Sequence, residues 1–368
     1  MASSIPTIGY LNEQGELAPG YRPTISNEDL VRGYQTMLLT RHMDERMITL
    51  QRQGTISFAM SSLGEEACAV ASAAALRMED WMYPQYREAG IMFWRGFTPL
   101  QYIHQMFGDK DDLIFGRQMP NHFGARSLNV VTVSSPIATK IPHAAGCAYA
   151  MKMLKEKAVT ICYFGEGATS EGDFHAGVNF AAVRKAPVIF FCRNNGYAIS
   201  TPCERQFASD GIAVKGIGYG SSAFRIDGND FFAVYDTVEQ ARRTCLEGKG
   251  PILIEAMTYR MGAHSTSDDP SLYRSDQEVE KWKKKCPVLR LKRYLERQGL
   301  WDASKEEQWL KTVADEISSA IAIAKETPPP PLNYLFEHVY FEMPPALKEQ
   351  YNELQRFGSH LTRFTERT

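Results

Sequence analysis

No apolar run in the 368-residue chain approaches the ~20 residues a membrane-spanning helix needs. Its 7 cysteines are scattered, odd in number and never in a Cys-x-x-Cys pair, which favours a reducing compartment. Cys162 and Cys192 lie inside apolar runs, where a thiol acts as a small hydrophobe. There is no surplus of positive charge: Lys+Arg 41 against Asp+Glu 43 leaves a formal charge of -2. Nucleic-acid binding needs a concentrated basic face, and the one dense run, Lys281 to Lys285, is short enough to be a solvated helix face. No Gly-x-Gly-x-x-Gly opens a helix after the first buried strand, so a plain hydride-transfer enzyme has no support. Internal repeats are absent. The start, Met1-Ala-Ser-Ser-Ile-Pro, is not a signal peptide and lacks the Arg-rich character of a transit sequence. The protein is therefore expected either to mature without one or to be already trimmed.

What the chain does have is a 44% hydrophobic content, enough for a substantial core. Residues 1–25 are rich in Gly and Pro and read as an extended arm. Ser26-Asn27-Glu28-Asp29 resembles a helix N-cap, and Leu30, Tyr34, Met37, Leu38 and Met47 keep a helical period until Gly54. A second helix, Gly64 to Leu76, is so rich in Ala that another backbone must pack closely on it. Ala158 to Phe164 and Pro187 to Cys192 are continuous apolar runs, suiting strands buried on both faces. Ser170 to Lys185 between them reads as a helix. Strand, helix and strand form a βαβ unit, which implies a parallel sheet with right-handed crossovers. Phe231 to Glu247 then reads as a helix and Pro251 to Met257 as a strand.

After Tyr259 the strands are expected to cease. Gly262 to Asp269 is a polar loop, with helices following near 275–298 and 303–325. Pro328 to Pro331 is a stiff stop, and a last helix begins near Pro345. The fold class is α/β, a doubly wound, mostly parallel sheet. The expected organisation is an arm over 1–25, one α/β domain over 26–270, and a helical extension over 271–368 that packs on that domain or on a partner.

Gly165-Glu166-Gly167 falls at the carboxyl end of the first buried strand, and Asn194-Asn195 at the end of the next. The stretch between, Ala168 to Arg193, has the length of one helix plus one strand, so both ends return to one sheet edge. Ligands of open parallel sheets bind there. Glu166 offers a hard anionic oxygen and Asn195 a neutral one, which suits magnesium shared with phosphate and water. The glycines let a diphosphate approach the backbone. Either half alone is an ordinary turn; the pair at βαβ spacing is far more specific.

These residues resemble the thiamine-diphosphate signature, with Glu166 in place of its usual aspartate. Phe164 to Asp173, Phe191 to Pro202 and Tyr259 to Asp269 are similar to the alpha subunit of branched-chain 2-oxo acid dehydrogenases. So are Gln85-Tyr-Arg-Glu-Ala-Gly90, Gly116 to Pro120 and Ser134 to Thr139. The similarity runs over roughly residues 25 to 350. The resemblance implies the thiamine-diphosphate-binding fold, with magnesium held by Glu166, Asn195 and the Tyr197 carbonyl. It places Gln85, Tyr86, Arg87, Gly165, Gly167, Ala168 and Arg193 around the diphosphate. Ser135 and the Ile137 backbone would face the aminopyrimidine, and His264 would act as acid or base beside the reacting carbon. For Arg87 the bland alternative is a surface ion pair with Glu88.

Ser134, Pro136 and Thr139 match a potassium loop of the family, but Lys140 stands where a glutamine is expected. An ammonium could take the cation's place, so the loop is expected to need no potassium. Ser265 and Ser275 match serines at which a dedicated kinase switches the family off. A phosphate on Ser265 would put about two negative charges beside His264, and full activity in a Ser265→Glu variant would count against that role.

The implied partners are a beta subunit in an α2β2 tetramer and a lipoyl-bearing acyltransferase. Neither nucleic acid nor membrane is expected. The implied compartment is the mitochondrial matrix for a eukaryotic source and the cytoplasm otherwise. The pyruvate or acetoin dehydrogenase alpha subunit shares the metal logic, and a non-catalytic regulatory subunit could share the fold.

Overall fold

The computed structural model describes residues 4–365, with side chains of the last helix described through Phe357. The first half contains β1 (Thr7–Ile8), α1 (Asn27–Arg52), α2 (Glu66–Ala74), β2 (Trp81–Tyr83), α3 (Ala89–Trp94), α4 (Pro99–Phe107) and α5 (Lys140–Met153). The centre contains β3 (Thr160–Gly165), α6 (Gly172–Arg184), β4 (Val188–Asn194), β5 (Tyr197–Ala198), β6 (Thr201–Pro202), α7 (Ala213–Gly218), β7 (Ser222–Asp227), α8 (Phe231–Thr244) and β8 (Ile252–Met257). The helices α9 (Asp276–Lys283), α10 (Pro287–Arg297), α11 (Ala303–Glu326) and α12 (Pro345–Thr365) complete the chain. No helix among the described residues is long and apolar enough to cross a membrane.

Six strands form one sheet in the order β1-β7-β8-β4-β3-β2, and every pairing in it is parallel. The strands β3 and β4 are as apolar as expected because they are covered on both faces. Ile161, Tyr163, Ile189 and Phe191 face a core built with α1, α2 and α8. Cys162, Phe164, Phe190 and Cys192 face a second core built with α5 and α6. The path β2, β3, β4 runs one way across the sheet and β7, β8 the other, so the winding reverses between β4 and β8. A crevice at such a reversal is where this architecture binds ligands.

The Ser26 hydroxyl caps α1 by accepting from the Asp29 amide at 3.1 Å. The Ala-rich α2 is packed as closely as its composition requires: a Cβ on Gly90 of α3 would meet Val70 Cγ2 at 2.8 Å. The expected helix over 275–298 is two helices, because Pro287 has no amide hydrogen to continue α9 and instead opens α10. Strands β1, β2 and β7 lie outside the sequence reading. Residues 7 and 8 pair with the β7 edge, and the Leu11 amide donates to the α8-capping Asp230 at 2.7 Å. In the C-terminal region, Trp309 Nε1 donates to the Gln35 carbonyl of α1 at 3.2 Å.

Candidate active site

The carboxyl ends of β2, β3, β4 and β8 are neighbours in the sheet, so four segments reach one edge. These are Gln85–Arg87 after β2, Gly165–Ala168 around the end of β3, Asn194–Tyr197 after β4, and Arg260–Ser265 after β8. They line a cavity of about 410 Å³ together with Ser135, Ile137, Phe58, Met60, Ala198 and Ile199. That volume is within the range of ordinary cofactor pockets. Gln85 ties β2 to β3 directly, its Oε1 accepting from the Gly165 amide at 2.8 Å. A Cβ on Gly165 would meet nothing, so the backbone there is open, whereas one on Gly167 would come within 2.7 Å of Ala198 Cβ.

Glu166 is buried at 1% exposure. Its Oε2 accepts from the Asn195 amide at 3.3 Å, and its Oε1 has no hydrogen-bond partner among the described residues. Burial raises its carboxyl above the usual range. An unpartnered, desolvated carboxylate oxygen is costly unless something cationic meets it. Asn195 donates from Nδ2 to Glu65 at 2.9 Å, while its Oδ1 accepts from the Tyr197 amide at 3.2 Å. Among the described residues no group of three or more His, Cys, Asp or Glu side chains could hold a metal. An ion at Glu166 would thus draw most of its oxygens from a ligand and water, as magnesium does beside phosphate.

Three arginines face this pocket: Arg87, Arg193 and Arg260. Arg193 is gripped by two buried carboxylates, Glu65 through Nη1 and Glu88 through Nε, the latter at 2.6 Å. Burial alone would raise the Glu65 carboxyl; Arg193 and Arg87 outweigh it and hold it below the usual range. Glu88 Oε2 also accepts from the amides of Gln85, Tyr86 and Arg87, each at 3.0 Å. The surface pair Arg87–Glu88 considered from sequence does not form. Arg87 is buried and donates instead to the carbonyls of Ser61 at 2.5 Å and His264 at 3.0 Å.

A family model described as "Dehydrogenase E1 component" matches residues 34–333. The chain belongs to the dehydrogenase E1 component family. Curated relatives of this E1 chain are mitochondrial 2-oxoisovalerate dehydrogenase alpha subunits. That of Homo sapiens is 48% identical over 364 residues, covering 97% of this chain and 82% of the relative. That of Dictyostelium discoideum is 46% identical over 353 residues, covering 95% and 80%. The alpha 1 subunit of Arabidopsis thaliana is 48% identical over 349 residues, covering 94% and 74%. The resemblance read from the sequence motifs therefore holds.

The E1 pocket collects Ser135, Tyr86, Tyr197 and His264 as well as the charged residues. Other expected positions lie outside it. Ser134 and Thr139 hydroxyls approach to 3.1 Å, and Thr139 Oγ1 donates to the Pro136 carbonyl at 2.9 Å, in the same loop that carries the pocket residues Ser135 and Ile137 and leads into α5 at Lys140. Ser265 lines the pocket, whereas Ser275 is the N-cap of α9, accepting from the Glu278 amide at 3.2 Å. Sequence reasoning missed Glu65, Glu88, His122, Arg260, Phe58 and Met60. Glu88 and Arg260 lay inside strings already singled out, and their charge was the available signal. Glu65, at the start of an Ala-rich helix, carried none.

His264 Nδ1 stands 3.4 Å from Arg87 Nη2 and 3.4 Å from Arg260 Nη1. A guanidinium only donates, so Nδ1 keeps its lone pair and the imidazole proton sits on Nε2. Burial, then Arg87 and Arg260, push the His264 pKa from 6.5 down to about 4. The folded form thus binds fewer protons than the unfolded one between those values. This histidine's contribution to stability accordingly falls as pH drops from 6.5 toward 4. Arg260→Gln is expected to raise that pKa, followed by NMR titration of the His264 ring in the reconstituted protein. An unmoved value would contradict the arginine origin of the shift.

Proposed function

We propose that this E1 chain is the thiamine-diphosphate-binding alpha subunit of a branched-chain 2-oxo acid dehydrogenase, active with a separate beta subunit in an α2β2 tetramer. The observation that carries the reading is the buried, unpartnered Oε1 of Glu166 at a sheet edge lined by three arginines. Thiamine diphosphate, when bound, supplies the nucleophilic carbon and electron sink for loss of carbon dioxide from the 2-oxo acid.

The protein's residues hold and orient. Glu166, the Asn195 side chain and the Tyr197 carbonyl are the proposed magnesium oxygens. Gln85, Tyr86, Arg87 and Arg193 line the diphosphate side, where planar guanidinium forks suit phosphate oxygens. Because Arg193 already grips Glu65 and Glu88, much of its role is to fix the walls. Ser135 and the Ile137 backbone take the aminopyrimidine. Neutral His264 offers Nε2–H as a donor to the reacting group, and the acyl unit passes to a lipoyl group of the acyltransferase. The glutamate that activates the cofactor is assigned to the beta subunit.

Phe58, Met60 and Ile199 give the pocket an apolar wall, which favours a branched acyl chain over pyruvate. On the reconstituted tetramer, kcat/KM for 3-methyl-2-oxobutanoate is expected to exceed that for pyruvate by about tenfold or more, the scale of missing methyl groups in an apolar pocket. Equal values would favour the pyruvate reading, and no turnover of either would favour a non-catalytic subunit. The isolated chain is expected to show no decarboxylation.

We read residues 1–25 as an arm and 271–368 as a helical extension of one α/β unit. The compartment proposed for a eukaryotic source is the mitochondrial matrix. Ser265, at the pocket wall beside His264, is the proposed target of a regulatory kinase. A phosphate there would compete with the cofactor's own charge for Arg87 and Arg260.

The loop of Ser134, Pro136 and Thr139 is proposed to be potassium-free. Its oxygens bond one another, and Lys140 beside them is half-buried, its ammonium pKa lowered by burial. Exchanging sodium for potassium is expected to leave the tetramer's unfolding midpoint unchanged. A site filled at 100 times its Kd would instead add about 2.7 kcal/mol.

A further inference from the structure

His122 is buried at 3% exposure, one layer behind the pocket, and none of the sequence motifs assigned it a task. Its Nδ1 lies 3.0 Å from the Pro120 carbonyl oxygen, and its Nε2 is hydrogen-bonded to Ser135 Oγ. A carbonyl can only accept, so in the neutral ring Nδ1 carries the proton and Nε2 the lone pair. The Ser135 hydroxyl must then donate to Nε2. Ser135 itself is exposed on the pocket wall. With its hydrogen committed to the histidine, its oxygen has only lone pairs left to offer the pocket.

The surroundings hold this arrangement in place. The Val133 amide donates to the Phe123 carbonyl at 2.9 Å, laying the His122 segment alongside the Ser135 segment. Gly124 permits the approach, since a Cβ there would fall 2.3 Å from Thr132 Oγ1. The neighbouring Asn121 accepts from the Met60 amide at 2.9 Å and donates to the Tyr102 hydroxyl at 3.2 Å, which anchors the turn before His122.

We propose that His122 is a positioning residue that fixes Ser135 as an obligate hydrogen-bond acceptor, so that the pocket selects a ligand presenting an amino donor at that point. The proposal rests on the reading that the pocket takes thiamine diphosphate, whose aminopyrimidine carries an exocyclic amine. An analogue with a carbonyl in place of that amine would set acceptor against acceptor. Rejection by an unpaired buried polar contact is a specificity device of its own.

The test measures binding of thiamine diphosphate and of oxythiamine diphosphate, the 4'-oxo analogue, to the magnesium-loaded α2β2 protein by calorimetry. In the wild type the amine is expected to be preferred by about tenfold or more, the scale of a buried acceptor left unpaired. His122→Phe frees the Ser135 hydroxyl to turn and donate, and the preference is expected to collapse toward unity. His122→Gln, whose Oε1 can still accept from Ser135, is expected to restore it. A ratio that is the same in wild type and His122→Phe overturns the proposal and leaves the cofactor reading standing. No binding of either compound by the wild type removes the cofactor reading and this proposal with it. If His122→Phe does not fold, ring 15N shifts of wild-type His122 still decide: an unprotonated Nε2 is expected, and a protonated Nε2 overturns the proposal.

Discussion

Glu166→Ala in the reconstituted tetramer is expected to weaken magnesium-dependent thiamine diphosphate binding by more than about 100-fold, beyond the range seen when residues behind a metal ligand are replaced. Among the described residues Glu166 is the one carboxylate that lines the pocket, and its Oε1 has no hydrogen-bond partner there. Removing it leaves the ion with neutral oxygens from this chain and the ligand's own charge. The fold should survive, because the variant gives up one long hydrogen bond, from the Asn195 amide at 3.3 Å, while relieving an unpaired buried oxygen. Glu166→Asp should retain most of the affinity, since it keeps a carboxylate at this point with one methylene less reach. Burial raises the Glu166 carboxyl, so a proton competes with the metal and affinity should fall at acid pH. Calorimetry with and without magnesium measures all three. A Glu166→Ala protein that binds normally would remove the metal from the account.

Glu88→Ala is expected to act on stability first and on binding second. One oxygen of Glu88 holds Arg193, and the other holds three successive amides of the Gln85–Arg87 turn. Truncation leaves a buried guanidinium half-paired and three amides without an acceptor. Breaking a buried ion pair from one side typically costs about 3–5 kcal/mol. The unfolding midpoint of the tetramer should drop steeply, and the remaining folded protein should bind cofactor weakly because the turn carrying Tyr86 and Arg87 is loose. Glu88→Gln keeps one acceptor for the amides and should fall between the two. An Ala variant with wild-type stability would mean that Glu65 alone suffices for Arg193.

The core of the fold was legible where burial is complete. β3 and β4 are covered on both faces, so their sequences are unbroken apolar runs, and the helix between them followed from length and period. β7 was not legible, because Ser222, Arg225 and Asp227 break any apolar pattern. Arg225 tolerates its place because Glu255 on the adjacent β8 meets its Nε at 3.0 Å, a partner 30 residues away. β1 and β2 are two and three residues long, too short for a period to register. The break at Pro287 was visible in principle: a missing amide was outweighed by the surrounding helical composition.

The site divides in the same way. Glu166 and Asn195 stood out because strand ends mark where a parallel sheet binds ligands. Glu65 and Glu88 did not, since what makes them matter is Arg193, and that proximity exists only once α2, β2 and β4 are assembled. His122 was hidden for a similar reason: its partner Ser135 is 13 residues away across an irregular loop.

Glu166 and Asn195 are proposed to share a divalent cation with a diphosphate. A crystal structure of the α2β2 protein with thiamine diphosphate, manganese replacing magnesium, would test it most directly. One anomalous peak is expected at about 2.1 Å from Glu166 Oε1 and from the Asn195 side-chain oxygen, bridging to the diphosphate. A cofactor bound with Glu166 Oε1 still unliganded, or an ion seated elsewhere, would contradict it.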